Sequence, residues 1–187
     1  MKHHLELRSP TATEGPALWR LVRATGVLEP NSAYAYALLC RDFSATCLVA
    51  HATEDGATED GATEDGAAGD GIVAFVTAYR PPARSEALFV WQIGVHPRAQ
   101  GQGLGRRLLL ELLHRPGAAD ATHLEATVGV SNTASARLFQ SVARELGAPC
   151  EIVPWFTGRH FPAPDGRAPP HEDEPLYRIG PLRRRNV

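Results

Sequence analysis

Apolar positions along the chain fall into two spacings. Leu18, Trp19, Leu21 and Val22 recur at the three-and-four interval of a helix face opened by Thr13-Glu-Gly-Pro16, and Asn31-Ser32 caps a second helix carrying Tyr34, Leu38 and Leu39. The same interval predicts helices over Leu104 to Leu113 and Asn132 to Leu146. Short β-branched or alternating runs predict strands at Leu5 to Ser9, Thr46 to His51, Ile72 to Tyr79, Ala87 to Val95, Leu124 to Val128, Cys150 to Phe156 and Leu176 to Ile179. The unbroken apolar run Ala87 to Val95 fits a central strand, ended by His96-Pro97. The order β-α-α-β-β-β-α-β-α-β-β is that of a mixed α/β sheet. Proline and glycine crowd residues 154 to 170, which predicts a long surface loop before the last strand.

One stretch has neither period. Residues 52–66 read Ala-Thr-Glu-Asp-Gly three times and run on to Gly71 with seven acidic residues and no basic one. Such a segment has no apolar face to bury, so it is expected to be a disordered, passive insertion at about 52–71 that lengthens a hairpin. Removing its charge from the formal net charge of −2 leaves +5 on the rest. A mildly basic body suits a phosphate-bearing small ligand. No basic stripe with interleaved aromatics suggests nucleic acid, and Arg183-Arg184-Arg185 reads as a solvated tail at 183–187.

With 187 residues and a hydrophobic share of 43%, one domain over 1–187 is expected. No run approaches a membrane span and the first residues lack a signal-peptide core, so a cytoplasmic chain without membrane partners is expected. Cys40, Cys47 and Cys150 lack metal spacing and read as reduced thiols, with no metal site. Eighteen of the 19 basic residues are arginine; Lys2 alone is lysine, which leaves no candidate for a Walker A loop or a Schiff base inside the fold.

Chemistry concentrates where the central strand meets its helix, in Val95-His-Pro-Arg-Ala-Gln100-Gly-Gln-Gly103-Leu-Gly105-Arg106. Gly101, Gly103 and Gly105 are expected to curl the backbone so that amides converge at a helix N-terminus, a setting that favours phosphate. The G-x-G-x-G spacing is neither the dinucleotide fingerprint nor a P-loop. The whole string resembles the GNAT superfamily of acetyl-CoA-dependent N-acetyltransferases: Gln100-x-x-Gly103-x-Gly105 matches its signature, and Asn132-x-x-Ser135-x-x-Leu138-Phe139 its later helix start. The resemblance implies an α/β GNAT fold, a mixed twisted sheet flanked by helices and splayed between its fourth and fifth strands for acetyl-CoA. It implies pantetheine pairing with the backbone of Ile93 and Val95, pyrophosphate on the amides of Gln100, Gly101, Gln102, Gly103, Leu104, Gly105 and Arg106, and a cofactor contact at Asn132. The amide at Val95 would polarise the thioester carbonyl.

Further strings narrow the resemblance. Gly26-Val-Leu-Glu-Pro-Asn-Ser-Ala-Tyr34, Tyr79-Arg-Pro-Pro82, Leu88-Phe-Val-Trp91-Gln92, Leu124-Glu-Ala-Thr127, Phe161-Pro and His171-Glu-x-Glu174-x-Leu-Tyr-Arg-Ile-Gly180 are similar to the L-2,4-diaminobutyrate acetyltransferases. That family acetylates the 4-amino group in ectoine biosynthesis, a response to osmotic stress, and the resemblance implies a homodimer. Another small diamine or amino acid as substrate, and a silent CoA-binding module, remain alternatives.

An alkylammonium must lose a proton before it attacks a thioester. Glu29 and Glu174 are candidates to hold it, or else a cap and a solvated loop residue. His171 is a proton carrier or a surface histidine. Trp91 is core or the apolar wall of the substrate site, and Arg80 is a carboxylate ligand or a structural ion pair. Phe139 stands where many superfamily members carry a tyrosine acid, so Tyr177, His171 or water protonates the leaving thiolate, or the thiolate leaves unassisted. With no thiol in an activating context, direct transfer in a ternary complex is expected.

Overall fold

A computed structural model describes residues 4–53, 71–161 and 171–183. Most of the acidic repeat and the basic tail lie outside the described residues. Seven strands form one sheet: β1 (His4–Arg8), β2 (Leu48–Thr53), β3 (Ile72–Tyr79), β4 (Ala87–Val95), β5 (His123–Thr127), β6 (Cys150–Phe156) and β7 (Glu174–Ile179), in the order β1-β2-β3-β4-β5-β7-β6. Among the described residues four α-helices accompany them: α1 (Gly15–Thr25), α2 (Ala33–Asp42), α3 (Leu104–Leu112) and α4 (Thr133–Leu146). The element order is the one that the hydrophobic pattern predicts. The chain divides into two compact units, Met1–Tyr79 with Gln92–Ala119, and Arg80–Trp91 with Asp120–Val187.

In the first unit β1, β2 and β3 run antiparallel, from the Arg8↔Val49 pair through Val49↔Phe75. Leu18, Leu21 and Val22 of α1 and Leu108, Leu109 and Leu112 of α3 are buried, as the helical interval requires. Each such burial contributes about 1.5–3 kcal/mol. Gly15 permits the closest helix approach: a Cβ there would lie 2.7 Å from the backbone of Ala37 in α2. Ser32 caps α2 by accepting the Ala35 amide. Strand β2 departs from expectation at both ends. Ser44–Thr46 winds into a 3₁₀ turn, and the first two repeat residues, Ala52 and Thr53, complete the strand because Leu5 and His4 of β1 are available to pair with them. The hairpin closes with the Ala52 amide on the Gly71 carbonyl at 2.8 Å.

In the second unit β4 and β5 are parallel over Ala87↔His123, Leu88↔Leu124 and Phe89↔Glu125, and β7 pairs antiparallel with both β5 and β6. Leu88, Leu124, Phe139, Val142 and Ile179 form its core. Strand β6 extends to Phe156 and Gly158–His160 winds a 3₁₀ turn, so the first part of the loop expected over 154–170 is ordered, while residues 162–170 lie outside the described residues. Pro154 is tolerated because β6 is an edge strand, and its register shifts between Val153 and Phe156. Glu125 is fully buried, paired with Arg84 at 3.2 Å and Arg178 at 3.4 Å, and the Arg84 guanidinium lies over the Trp155 ring. A carboxylate survives there only because two cations face it.

Candidate active site

The first unit contributes the phosphate-type loop. After β4 the chain makes a 3₁₀ turn over Pro97–Ala99, in which His96 Nδ1 accepts the Arg98 amide, and the Gln100 side chain donates back to the Val95 carbonyl at 3.2 Å. Gly101 and Gly103 then take left-handed φ values of +77° and +72°, and α3 starts at Leu104. The first-turn amides of a helix have no acceptor within it. A Cβ built on Gly101 or Gly103 would meet no protein atom within 4 Å, so this side of the turn is open. Gly105 corrects the sequence reading, because it lies within α3 and is absent from the left-handed glycines. The curl belongs to Gly101 and Gly103 alone. Gln102 and Arg106 are exposed and Leu104 is buried, so Leu104 anchors the loop to the core. Ile93 and Val95 are half-buried at the end of β4.

Glu29 is exposed on the loop that joins α1 to α2. Gln92 Nε2 donates to its carbonyl at 2.9 Å, a link that the sequence reading missed. The signal was present as the one strongly polar side chain in the run Ala87–Val95.

The second unit brings His171 and Glu174 together. His171 Nε2 stands 3.6 Å from Glu174 Oε1, and Thr127 Oγ1 donates to Glu174 Oε2 at 2.8 Å. The imidazole stacks on Phe161 with ring centroids 3.7 Å apart, and its Nδ1 lies 2.8 Å from the Glu172 carbonyl. A carbonyl oxygen only accepts, so Nδ1 carries the hydrogen, and in the neutral ring the Nε2 lone pair faces Glu174. Glu172 fixes this segment by accepting both the amide and the hydroxyl of Ser131, each at 2.9 Å.

Other candidates separate from this pair. Tyr177 is three residues beyond Glu174, hence on the opposite face of β7, where it packs on Phe139 with centroids 6.4 Å apart. The Asn132 side-chain oxygen accepts the Ser135 amide as the cap of α4. Trp91 is half-buried. Arg80 is a structural ion pair: it donates to Asp120 at 2.7 Å and to the Ser85 carbonyl. Burial pushes the Cys40 thiol up to about 11 and Cys47 up to about 12, and raises Cys150 as well. None of these is an activated nucleophile. Among the described residues no cluster of three His, Cys, Asp or Glu could hold a metal ion, and no helix is long and apolar enough to cross a membrane.

Comparison with known proteins identifies the family. The Acetyltransferase (GNAT) family matches residues 20–143. The L-2,4-diaminobutyric acid acetyltransferase of Bordetella parapertussis is 40% identical over 182 residues, 97% of this chain and 86% of that protein. That of Halalkalibacterium halodurans is 39% identical over 178 residues, 95% of this chain and 82% of that protein. Among solved structures, the diaminobutyrate acetyltransferase EctA of Paenibacillus lautus, in complex with L-2,4-diaminobutyric acid and coenzyme A, superposes with a TM-score of 0.81 at 34% identity, covering 96% of each chain. The Escherichia coli ribosomal-protein-S18-alanine N-acetyltransferase, at 21% identity and a TM-score of 0.62, shares the fold. The chain therefore belongs to the GNAT acetyltransferases, within the L-2,4-diaminobutyric acid acetyltransferase family.

Proposed function

We propose that this chain moves the acetyl group of acetyl-CoA to the 4-amino group of L-2,4-diaminobutyrate, giving N4-acetyl-2,4-diaminobutyrate for ectoine synthesis under osmotic stress. The relatives support the substrate. The observation that carries the chemistry is the carboxylate of Glu174, fixed by Thr127 and facing His171 Nε2 at 3.6 Å.

An incoming ammonium meets the Glu174 carboxylate beside the His171 ring. Glu174 and Glu29 hold the cationic groups, Trp91 lines the methylenes, and Nε2 of His171 takes the proton to free the amine lone pair. The resulting imidazolium is stabilised by the carboxylate beside it. The amine then attacks the thioester carbon directly, with the Val95 amide on the carbonyl oxygen. Gln100 to Arg106 hold the pyrophosphate, Ile93 and Val95 the pantetheine, and Asn132 flanks the cofactor. Tyr177 is on the face of β7 opposite Glu174 and packs on Phe139, so the His171 imidazolium or a water, rather than the phenol, is the acid that protonates the departing sulfur. A thiol has an ordinary pKa near 8.5 and leaves readily, so this acid contributes less than the base. The raised thiols support a ternary complex over an acyl-cysteine route.

The same reading places the chain in the cytoplasm as a homodimer. Three free thiols suit a reducing compartment, and edge strand β6 exposes Ile152, Val153, Trp155 and Phe156.

The test is thiol release from acetyl-CoA in the presence of L-2,4-diaminobutyrate, followed by NMR of the product. Release of one thiol per N4-acetyl group formed is expected. An acetyl group on the 2-amino nitrogen, or no release, overturns the reading.

A further inference from the structure

An exposed carboxylate recognises an amine well only if its backbone is held, because each freely rotating segment adds an ordering cost to binding. The loop of Glu29 is held by a closed set of hydrogen bonds. Gln92 Nε2 donates to the Glu29 carbonyl at 2.9 Å, and the Tyr36 hydroxyl donates to Gln92 Oε1 at 2.8 Å while accepting the Asn31 amide at 3.3 Å. Trp19 Nε1 donates to the Asn31 carbonyl at 3.2 Å, and Thr77 Oγ1 to the carbonyl of Gln92 itself at 3.3 Å.

The directions are fixed by chemistry. The Glu29 carbonyl can only accept, so the Gln92 amide nitrogen must face it and the amide oxygen must face the phenol. Tyr36 is 0% exposed, so its ring has one position and its hydroxyl acts as a fixed post. Gln92 follows Trp91 and precedes Ile93 on β4, and strand alternation sends its side chain to the face opposite theirs. The amide therefore ties the Glu29 loop to the strand whose end carries Ile93 and Val95.

We propose that Tyr36 and Gln92 are positioning residues for amine recognition, acting through the backbone of Glu29 and Asn31. The proposal rests on the reading that Glu29 binds the substrate ammonium. A lost hydrogen bond of this kind is worth about threefold to tenfold in affinity. Tyr36→Phe and Gln92→Met should each raise KM for diaminobutyrate by about that factor, leaving kcat and KM for acetyl-CoA within about twofold, the signature of lost uniform binding.

The decisive experiment repeats both substitutions in a Glu29→Gln background. Glu29→Gln alone should raise KM for diaminobutyrate, and adding Tyr36→Phe or Gln92→Met should then change little. A second rise of the same factor in that background overturns the proposal, as does an unchanged KM in the single variants while Glu29→Gln raises it. If Glu29→Gln itself leaves KM unchanged, the assignment of Glu29 fails first and the positioning role falls with it. Should Tyr36→Phe not fold, Gln92→Met carries the same comparison.

Discussion

His171 and Glu174 divide one task. In the proposed reaction the carboxylate attracts the ammonium and later stabilises the imidazolium, while Nε2 accepts the proton. Replacing His171 with asparagine should lower kcat by about 100-fold, within the range for a positioned general base, with KM for acetyl-CoA unchanged. Glu174→Gln should raise KM for diaminobutyrate by about tenfold. Steady-state kinetics on both variants check this, and a parallel loss of acetyl-CoA affinity would make the pair structural. The buried thiols make a separate prediction. Above pH ~9 the thiols of the unfolded chain ionise, whereas Cys40 and Cys47 keep their protons to about 11 and about 12. The unfolded state then binds fewer protons than the native one, so stability falls as pH rises through that window. Urea midpoints from pH 8 to 11 should fall, and alkylation at pH 8 should spare both thiols in the native protein but not in the unfolded one.

At the scale of elements, the turn into α3 is proposed to carry cofactor affinity. Gly103→Val puts a Cβ into space that holds no protein atom, and forces a branched residue to φ +72°. Acetyl-CoA binding should weaken at least tenfold, about 1.4 kcal/mol, measured by calorimetry on a variant that still melts cooperatively. Unchanged affinity would remove the loop from the cofactor site. Elements of this kind were legible in the sequence because periodicity is local: α3, α4 and β3 through β6 fall within a residue or two of their predicted limits. The GNAT signature was legible for the same reason. What escaped were partners set by pairing across the fold. Thr127 meets Glu174 only because β5 lies beside β7, and Tyr36 meets Gln92 across 56 residues of chain. No spacing rule reaches those contacts. Gly105 was misassigned because a glycine at a helix start and one in a left-handed turn look alike in sequence.

At the scale of the whole molecule, edge strand β6, with four large apolar side chains exposed, is the surface proposed for the homodimer. Trp155→Asp together with Ile152→Asp should convert a dimer into a monomer in sedimentation velocity, and a monomeric parent protein would refute the homodimer. Charge is also a property at this scale. Deleting residues 54–68 removes six acidic groups and moves the net charge from −2 to +4. Because Ala52 and Thr53 belong to β2, a deletion that starts at residue 54 keeps the pairing with β1. Melting temperature should hold and turnover should stay within about twofold, about 0.4 kcal/mol in barrier, with salt altering the difference. Loss of turnover at every ionic strength would give the repeat an active role.

The Ala52–Gly71 bond that closes the β2–β3 hairpin makes this position a port. Whatever is inserted between its two ends adds chain outside a ladder already complete, and each doubling of loop length costs only about 0.6 kcal/mol. Whole five-residue units can be gained or lost by copying errors in the coding sequence without moving a single strand pair. If the deletion leaves turnover intact, the repeat number is expected to be free to drift. An epitope or reporter domain spliced between residues 60 and 61 should report on the enzyme while leaving its kinetics in place.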